Sequence, residues 1–84
     1  MRSLEFDIAA FEDLAWWIEK DRAKALRIVT LIKEIKRDPF KGIGKPEPLK
    51  HEFTGLVASN DREHRIVYQV TTEKIRILAC RYHY

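Results

Sequence analysis

The chain has few of the residues on which many small proteins depend. It contains one cysteine, Cys80, which cannot form an internal disulfide, and its place in a strand-like run suggests a buried filler rather than a nucleophile. Its three histidines are scattered, so there is no metal-ligand spacing and we expect neither a metal nor a cofactor. It has no long apolar stretch and no basic segment followed by an apolar one. We therefore expect no membrane span, no secretion signal and a cytoplasmic location.

The composition is that of a folded protein with a positive charge balance. With 84 residues, 45% of them hydrophobic and 35% charged, we expect a single domain over residues 1–84. The formal net charge of +3 favours an anionic partner, because cationic surfaces attract phosphate chains. Acidic residues are frequent as far as Asp38, and basic residues dominate the second half: Lys41, Lys45, Lys50, Arg62, Arg65, Lys74, Arg76 and Arg81. We expect this basic surface to be the one that carries His83.

The first half of the sequence predicts a strand and two helices. Residues 1–6 alternate as a short strand, and Asp7 has a side chain that can cap a helix. The apolar face of that helix is predicted to consist of Ile8, Phe11, Leu14, Ala15 and Ile18. Trp16 and Trp17 cannot both point inward, so one of them is expected at the margin.

A second helix is predicted over residues 22–37, with Asp21 as its cap. Its apolar stripe is formed by Ala25, Ile28, Val29, Leu31, Ile32 and Ile35. Asp38 and Pro39 end the helix, because proline lacks the N–H group and disfavours helix in the residue before it. The two helices therefore form a hairpin.

The second half predicts a loop followed by three strands. Residues 40–48 contain two glycines, two prolines and no apolar periodicity, which is typical of a loop. The strands are expected over about 49–59, 63–70 and 74–81. In the last strand, one face should hold Ile75, Ile77 and Ala79, and the other Arg76, Leu78 and Cys80. We predict an α+β fold in the order β-α-α-β-β-β, with the N-terminal strand and the helical hairpin packed on an antiparallel sheet.

Three side chains fit the needs of RNA cleavage by proton transfer. A base must take the proton of the ribose 2′-OH, an acid must protonate the departing 5′-oxygen, and a cation must hold the charge on the phosphorane. Glu47 stands between two prolines, Arg65 on a central predicted strand and His83 at the end of a neighbouring one. Spacing alone does not show that the three side chains meet. In the alternative interpretation, Glu47 is an ordinary exposed acid in a turn and His83 is a surface histidine on a tail.

Three segments resemble the YoeB toxin family within the RelE/ParE superfamily of bacterial toxin–antitoxin systems: DPFKGIGKPEPLKHEFTG, EHRIVY and the terminal RYHY. The resemblance extends over essentially the whole chain, including the helical hairpin, and implies a RelE-like fold. It also implies a ribosome-dependent endoribonuclease that cuts mRNA in the A site without metal. Such cleavage leaves a 2′,3′-cyclic phosphate and a 5′-hydroxyl.

The resemblance assigns roles to individual positions. It implies that Glu47 is the general base, His83 the general acid, Arg65 the transition-state cation and Tyr84 the residue that orients the scissile nucleotide. The residues expected near the site or on the RNA are Lys45, Lys50, His51, Arg62, Glu63 and Arg81. The implied partners are a YefM-like antitoxin, the ribosome with its mRNA, a second copy of the chain in a homodimer, and operator DNA through the antitoxin complex.

One segment departs from the family pattern. Residues 56–62, LVASNDR, stand where such sequences carry an aromatic-Trp-Ser-Arg-Arg-Ile stretch, and the segment is one residue shorter. It lacks two arginines that would contact phosphate, and its length could change the strand register. The alternative function is therefore a catalytically weakened binding module that acts mainly as antitoxin partner and transcriptional co-repressor. A gyrase poison of the ParE type ranks lower, because that branch needs neither Glu47 nor His83.

Overall fold

The computed structural model describes residues 2–41, 44, 46–48, 55–59 and 63–82. Within them, two helices pack on one face of a sheet whose strand order is β1-β5-β4-β3-β2. The elements are β1 (Ser3–Phe6), α1 (Ile8–Lys20), α2 (Arg22–Arg37), β2 (Glu47–Pro48), β3 (Leu56–Ser59), β4 (Arg65–Val70) and β5 (Lys74–Tyr82). This confirms the predicted α+β fold and its helical hairpin.

Asp21 joins the two helices in a single residue. Its backbone N–H donates to the carbonyl of Trp17 at 2.8 Å, which ends α1, and its carboxylate accepts from the N–H of Lys24 at 3.3 Å, which begins α2. Asp7 occupies the cap position of α1 but makes no side-chain cap bond. Its carboxylate instead binds the Arg76 guanidinium at 2.6 Å, so the prediction of a capping side chain at Asp7 was wrong.

The sheet is mixed. β1 runs parallel to β5, with Leu4 beside Ile75, whereas the other neighbouring strands are antiparallel. A parallel neighbour requires a crossover connection, and the helical hairpin after β1 provides one. The sequence predicted an antiparallel sheet, and the parallel pairing of β1 is the difference.

Two bulges in β5 change which residues face the helices. Tyr68 pairs with Ile77, Val67 with Ala79 and Arg65 with Tyr82, so β5 has an extra residue in each interval. Ile75 and Ile77 share one face, as predicted, and this face lies in the core beneath the helices. Cys80 joins them there, whereas Ala79 packs on the opposite face. The strict alternation assumed for β5 was therefore wrong at Ala79 and Cys80.

Most of the residues predicted for the apolar face of α1 are not the ones that the helix buries. Its buried residues are Ala10 and Trp17, with Leu14 packed beside them. The predicted inward residues Ile8, Phe11 and Ile18 are 79%, 64% and 53% exposed. Trp17 is the large side chain of the buried face, and turning it inward directs the aliphatic stripe outward.

The predicted stripe of α2 is almost entirely confirmed. Its buried residues are Ala25, Ile28, Leu31, Ile32 and Ile35. Val29 and Leu26 are exposed and continue the outward apolar side chains of α1. We call Ile8, Phe11, Ile18, Leu26 and Val29 the exposed helix surface. In the described part of the chain, neither helix has the length and apolar character to cross a membrane.

Candidate catalytic and RNA-binding site

The pairing of β4 with β5 places Arg65 directly opposite Tyr82. Both residues belong to the face of the sheet turned away from the helices, where Tyr82 packs against the buried cluster of Val57 and Val67. Arg65 is half-buried there, and its Nη1–H donates to the carbonyl oxygen of His64 at 3.1 Å. His83 and Tyr84 follow Tyr82 in the sequence and lie outside the described residues. Arg65, the cation predicted for catalysis, thus lies beside Tyr82, which directly precedes the predicted acid His83 in the sequence.

Glu47 is part of the same sheet. β2 pairs with β3 so that Glu47 lies beside Val57, and Val57 in turn lies beside Val67 of β4. With neighbouring strands about 4.8 Å apart, the backbones of Glu47 and Val67 are about 10 Å apart. The prediction of a loop over residues 40–48 was therefore wrong for Glu47 and Pro48. Pro48 fits this position because proline is accepted on an edge strand.

Two of the other predicted site residues, Glu63 and Arg81, lie within the described ranges. Glu63 is exposed just before β4. The guanidinium carbon of Arg81 lies 4.1 Å from the ring centre of Trp16, against α1. The predicted residues that lie outside the described ranges are Lys45, Lys50, His51, Arg62, His83 and Tyr84. Within the described ranges, no three His, Cys, Asp or Glu side chains lie close enough to hold a metal ion.

The segment that departs from the family pattern forms a regular strand as far as it is described. In β3, Val57 pairs with Val67, Ala58 with Ile66 and Ser59 with Arg65. Val57 and Ala58 are each 1% exposed, one on either side of the sheet. The four described residues of β3 are Leu, Val, Ala and Ser, so this strand adds no positive charge beside Arg65.

Two groups that could have been reactive are neutral and buried. Burial raises the pKa of the Cys80 thiol to about 12, and the nearby carboxylate of Asp13 adds to the shift. Burial also raises the pKa of Tyr68 to about 12, with a smaller contribution from Asp38. The prediction that Cys80 is a buried filler is confirmed, since a thiol of this kind is a poor nucleophile.

Sequence reasoning missed the residues of α1 that hold the end of β5. Trp17 Nε1–H donates to the carbonyl oxygen of Cys80 at 2.9 Å, and the Cys80 N–H donates to a carboxylate oxygen of Asp13 at 3.0 Å. One tryptophan was expected at the margin, and Trp16 is indeed 38% exposed while Trp17 is 3% exposed. Neither Asp13 nor Trp17 belongs to a motif in the sequence, and the burial of Trp17 is decided by tertiary packing.

Similarity to known proteins extends over the whole chain. The family model of YoeB-like toxins of bacterial type II toxin–antitoxin systems matches residues 6–84. Toxin YoeB of Mycobacterium bovis is 51% identical over 85 residues, which cover 100% of this chain and 100% of the relative. The solved YoeB dimer of Staphylococcus aureus has a TM-score of 0.90 and 39% identity, covering 99% of this chain and 98% of that one. A heterotetrameric YoeB–YefM toxin–antitoxin complex from Staphylococcus aureus has a TM-score of 0.85 and 38% identity, covering 100% and 99%.

Proposed function

Because the chain belongs to the family of YoeB-like toxins of bacterial type II toxin–antitoxin systems, we propose that it is a ribosome-dependent endoribonuclease. In this proposal it acts in the cytoplasm and cuts mRNA in the ribosomal A site. The observation that carries the proposal is the pairing of Arg65 with Tyr82, which sets a cation beside the strand that leads into His83 and Tyr84. Glu47, on the short strand β2, completes the set of proton-transfer groups.

The proposed reaction is a transesterification followed by release of the 5′-hydroxyl fragment. Glu47 takes the proton from the ribose 2′-OH, and the 2′-oxygen attacks the adjacent phosphorus. The bond from phosphorus to the 5′-oxygen breaks, and His83 donates a proton to that oxygen. Arg65 stabilises the negative charge on the phosphorane, and Tyr84 orients the scissile nucleotide. The products are a 2′,3′-cyclic phosphate and a 5′-hydroxyl, and the residues alone supply the proton transfers.

Basic residues of the second half are proposed to hold the RNA backbone. These basic residues are Lys45, Lys50, His51, Arg62 and Arg81, and the acidic Glu63, exposed just before β4, is proposed to lie near the RNA as well. Lysine and arginine attract phosphate through charge, and arginine adds paired hydrogen bonds. Arg81 is an exposed residue whose guanidinium stacks on Trp16 of α1.

We propose a YefM-type antitoxin as the protein partner, with operator DNA reached through that complex. The support is the exposed helix surface, where five large aliphatic or aromatic side chains lie in water on two adjacent helices. Between the helices is a groove lined by Leu14, Ile18, Arg22, Ala25, Leu26 and Val29. Its apolar floor and the positive charge of Arg22 fit an amphipathic acidic segment. A homodimer is proposed as well, as in the solved relative from Staphylococcus aureus.

A second candidate function is that of a binding module, in which the toxin mainly acts as antitoxin partner and co-repressor. The observation that favours it is the uncharged strand β3, which lies between Glu47 and Arg65 where the family pattern carries arginines. Inducing the chain in cells that lack the antitoxin distinguishes the two. The nuclease predicts growth arrest together with mRNA cut inside translated codons, and both should vanish with His83→Ala. Normal growth with a folded protein that still binds the antitoxin would favour the binding module.

A further inference from the structure

Cys80 is held by α1 at the place where β5 loses its regular pairing with β4. Between Ala79 and Tyr82 the strand has one residue more than the facing stretch of β4. There the Cys80 N–H donates to Asp13 Oδ2 at 3.0 Å, and the Cys80 carbonyl accepts from Trp17 Nε1 at 2.9 Å. Asp13 and Trp17 are one helical turn apart, so they reach the same spot. We call this pair of hydrogen bonds the Cys80 clamp.

In the Cys80 clamp, the backbone N–H and C=O groups of Cys80 bind two side chains instead of a neighbouring strand, in the interior of the protein. Cys80 is fully buried and Trp17 is 3% exposed. A buried N–H or C=O group without a partner is strongly unfavourable, and a bulge leaves such groups behind in the ladder. Asp13 and Trp17 satisfy both groups of one residue. The bulged conformation of β5 is therefore tied to two side chains of a different element.

Trp17 also contacts the strand that carries Arg65. Its ring meets the His64 ring edge to face, with the two centres 4.8 Å apart and the planes at 85°. His64 directly precedes Arg65, and Cys80 stands three residues before His83. One buried side chain thus touches both segments that lead into the proposed proton-transfer site, from the helix side of the sheet.

We propose that Asp13 and Trp17 are positioning residues of the proposed nuclease and set the course of the C-terminal strand. The inference rests on the proposed function. A slip of one residue in a strand turns each following side chain to the opposite face of the sheet. Without the clamp, the bulge before Tyr82 can close toward regular pairing, and Tyr82 then leaves its position opposite Arg65. The clamp acts on the rate of the chemical step, because a misplacement of about 1 Å can lower a rate by about a hundredfold.

The kinetic test compares four variants in ribosome-dependent mRNA cleavage. Trp17→Phe keeps an aromatic ring, though a smaller one, but lacks the N–H donor, and Asp13→Ala lacks the acceptor. Both are expected to lower kcat by about tenfold or more, with KM changed less than about twofold. Asp13→Asn retains a carbonyl oxygen that can accept from Cys80 and should recover most of kcat. Ile28→Val, in the core of α2, is the control for lost stability.

A purely structural role predicts a different pattern. If Trp17→Phe and Asp13→Ala keep the kcat of an Ile28→Val protein of equal melting temperature, or if Asp13→Asn is as slow as Asp13→Ala, the positioning role is overturned. Failure of the proposed function is recognised separately, because the parent protein would then leave mRNA intact on ribosomes.

Amide hydrogen exchange tests the clamp whether or not the parent is active. Trp17→Phe should speed exchange at Arg81 and Tyr82 by about tenfold or more relative to Ile28→Val, since local opening controls exchange. Unchanged exchange at these two amides would show that the clamp does not set the end of β5, and would overturn the inference.

Discussion

Tyr68 donates its hydroxyl hydrogen to the carbonyl oxygen of Pro39 across 2.6 Å, which ties β4 to the chain just after α2. Both residues are buried, so the bond forms without competition from water. Tyr68→Phe removes the hydroxyl donor and leaves the buried Pro39 carbonyl oxygen without this hydrogen bond. We expect the free energy of unfolding to fall by about 1–2 kcal/mol, measured by urea denaturation.

The matched control for that change is Thr30→Val. The Thr30 hydroxyl donates to the carbonyl of Leu26 at 3.2 Å, but on the exposed side of α2. Its loss should change the free energy of unfolding by less than about 0.5 kcal/mol. Equal losses in the two variants would contradict the importance of the buried bond.

Stability should fall at alkaline pH because two buried acids resist ionisation in the folded state. The pKa values of Tyr68 and Cys80 are raised to about 12 from ordinary values of 10.0 and 9.0. In the unfolded chain, the two groups ionise near their ordinary pKa values. Below those pH values both groups are neutral in the folded and the unfolded chain, and the folded protein keeps its full stability. Stability is then lost as the pH rises from about 9 toward 12. Urea midpoints measured between pH 8 and about pH 11 should decrease, with Cys80→Ala removing the earliest part of the decrease.

The double variant Cys80→Ala with Tyr68→Phe tests the assignment of that pH dependence. It should have a flatter profile above about pH 9 than the parent, whatever its stability at neutral pH. An unchanged slope would mean that other groups cause the alkaline loss.

The exposed helix surface predicts a specific loss of antitoxin binding. Phe11, 64% exposed on α1, lies within it, and Phe40, 59% exposed after α2, does not. Phe11→Ser should raise the Kd for the antitoxin by about tenfold or more, because aromatic side chains commonly anchor interfaces. Phe40→Ser should change it little, as measured by titration calorimetry. If Phe11→Ser leaves the Kd for the antitoxin unchanged but lowers the mass that sedimentation gives for the toxin alone, the exposed helix surface is a dimer interface instead.

The proposed roles predict an order among substitutions in the site. Glu47→Ala and His83→Ala remove proton-transfer groups and should each lower kcat by about a hundredfold or more. Lys50→Ala removes one phosphate contact and should mainly raise KM. Single-turnover cleavage on ribosomes measures both quantities. Equal losses in rate for Lys50→Ala and Glu47→Ala would contradict the assignment of the base.

Much of the fold could be read from local pattern. The stripe of α2 was predicted correctly except at Val29, because one face of this helix is strongly apolar and packs against the core. The end of α2 followed from Pro39, which acts locally. These are places where a residue and its immediate neighbours decide the structure.

The failures arose where a distant contact or a partner decides. On α1, the face with Ile8, Phe11 and Ile18 satisfies the helical period, but the sheet accepts the face with Trp17. At the second bulge of β5, the backbone of Cys80 is bound by side chains of α1 that are more than sixty residues away. The parallel pairing of β1 and the short strand β2 depend likewise on tertiary partners.

The site could be predicted as a set of residues but not as a geometry. Family motifs named Glu47, Arg65 and His83, and the structure adds that Arg65 pairs with Tyr82 while Glu47 lies two strands away. Asp13 and Trp17 carry no such motif. Their contribution is visible only through hydrogen bonds to the backbone of Cys80.

The most direct measurement is cleavage of a defined mRNA on programmed ribosomes by the purified protein, with both new ends characterised. We expect a cut within the A-site codon, a 5′-hydroxyl on one fragment and a 2′,3′-cyclic phosphate on the other, and loss of the cut with His83→Ala. Equal cleavage of the same RNA without ribosomes, or a cut that persists in His83→Ala, would contradict the proposed function. Intact mRNA from a folded protein that binds its antitoxin would contradict it as well, in favour of the binding module.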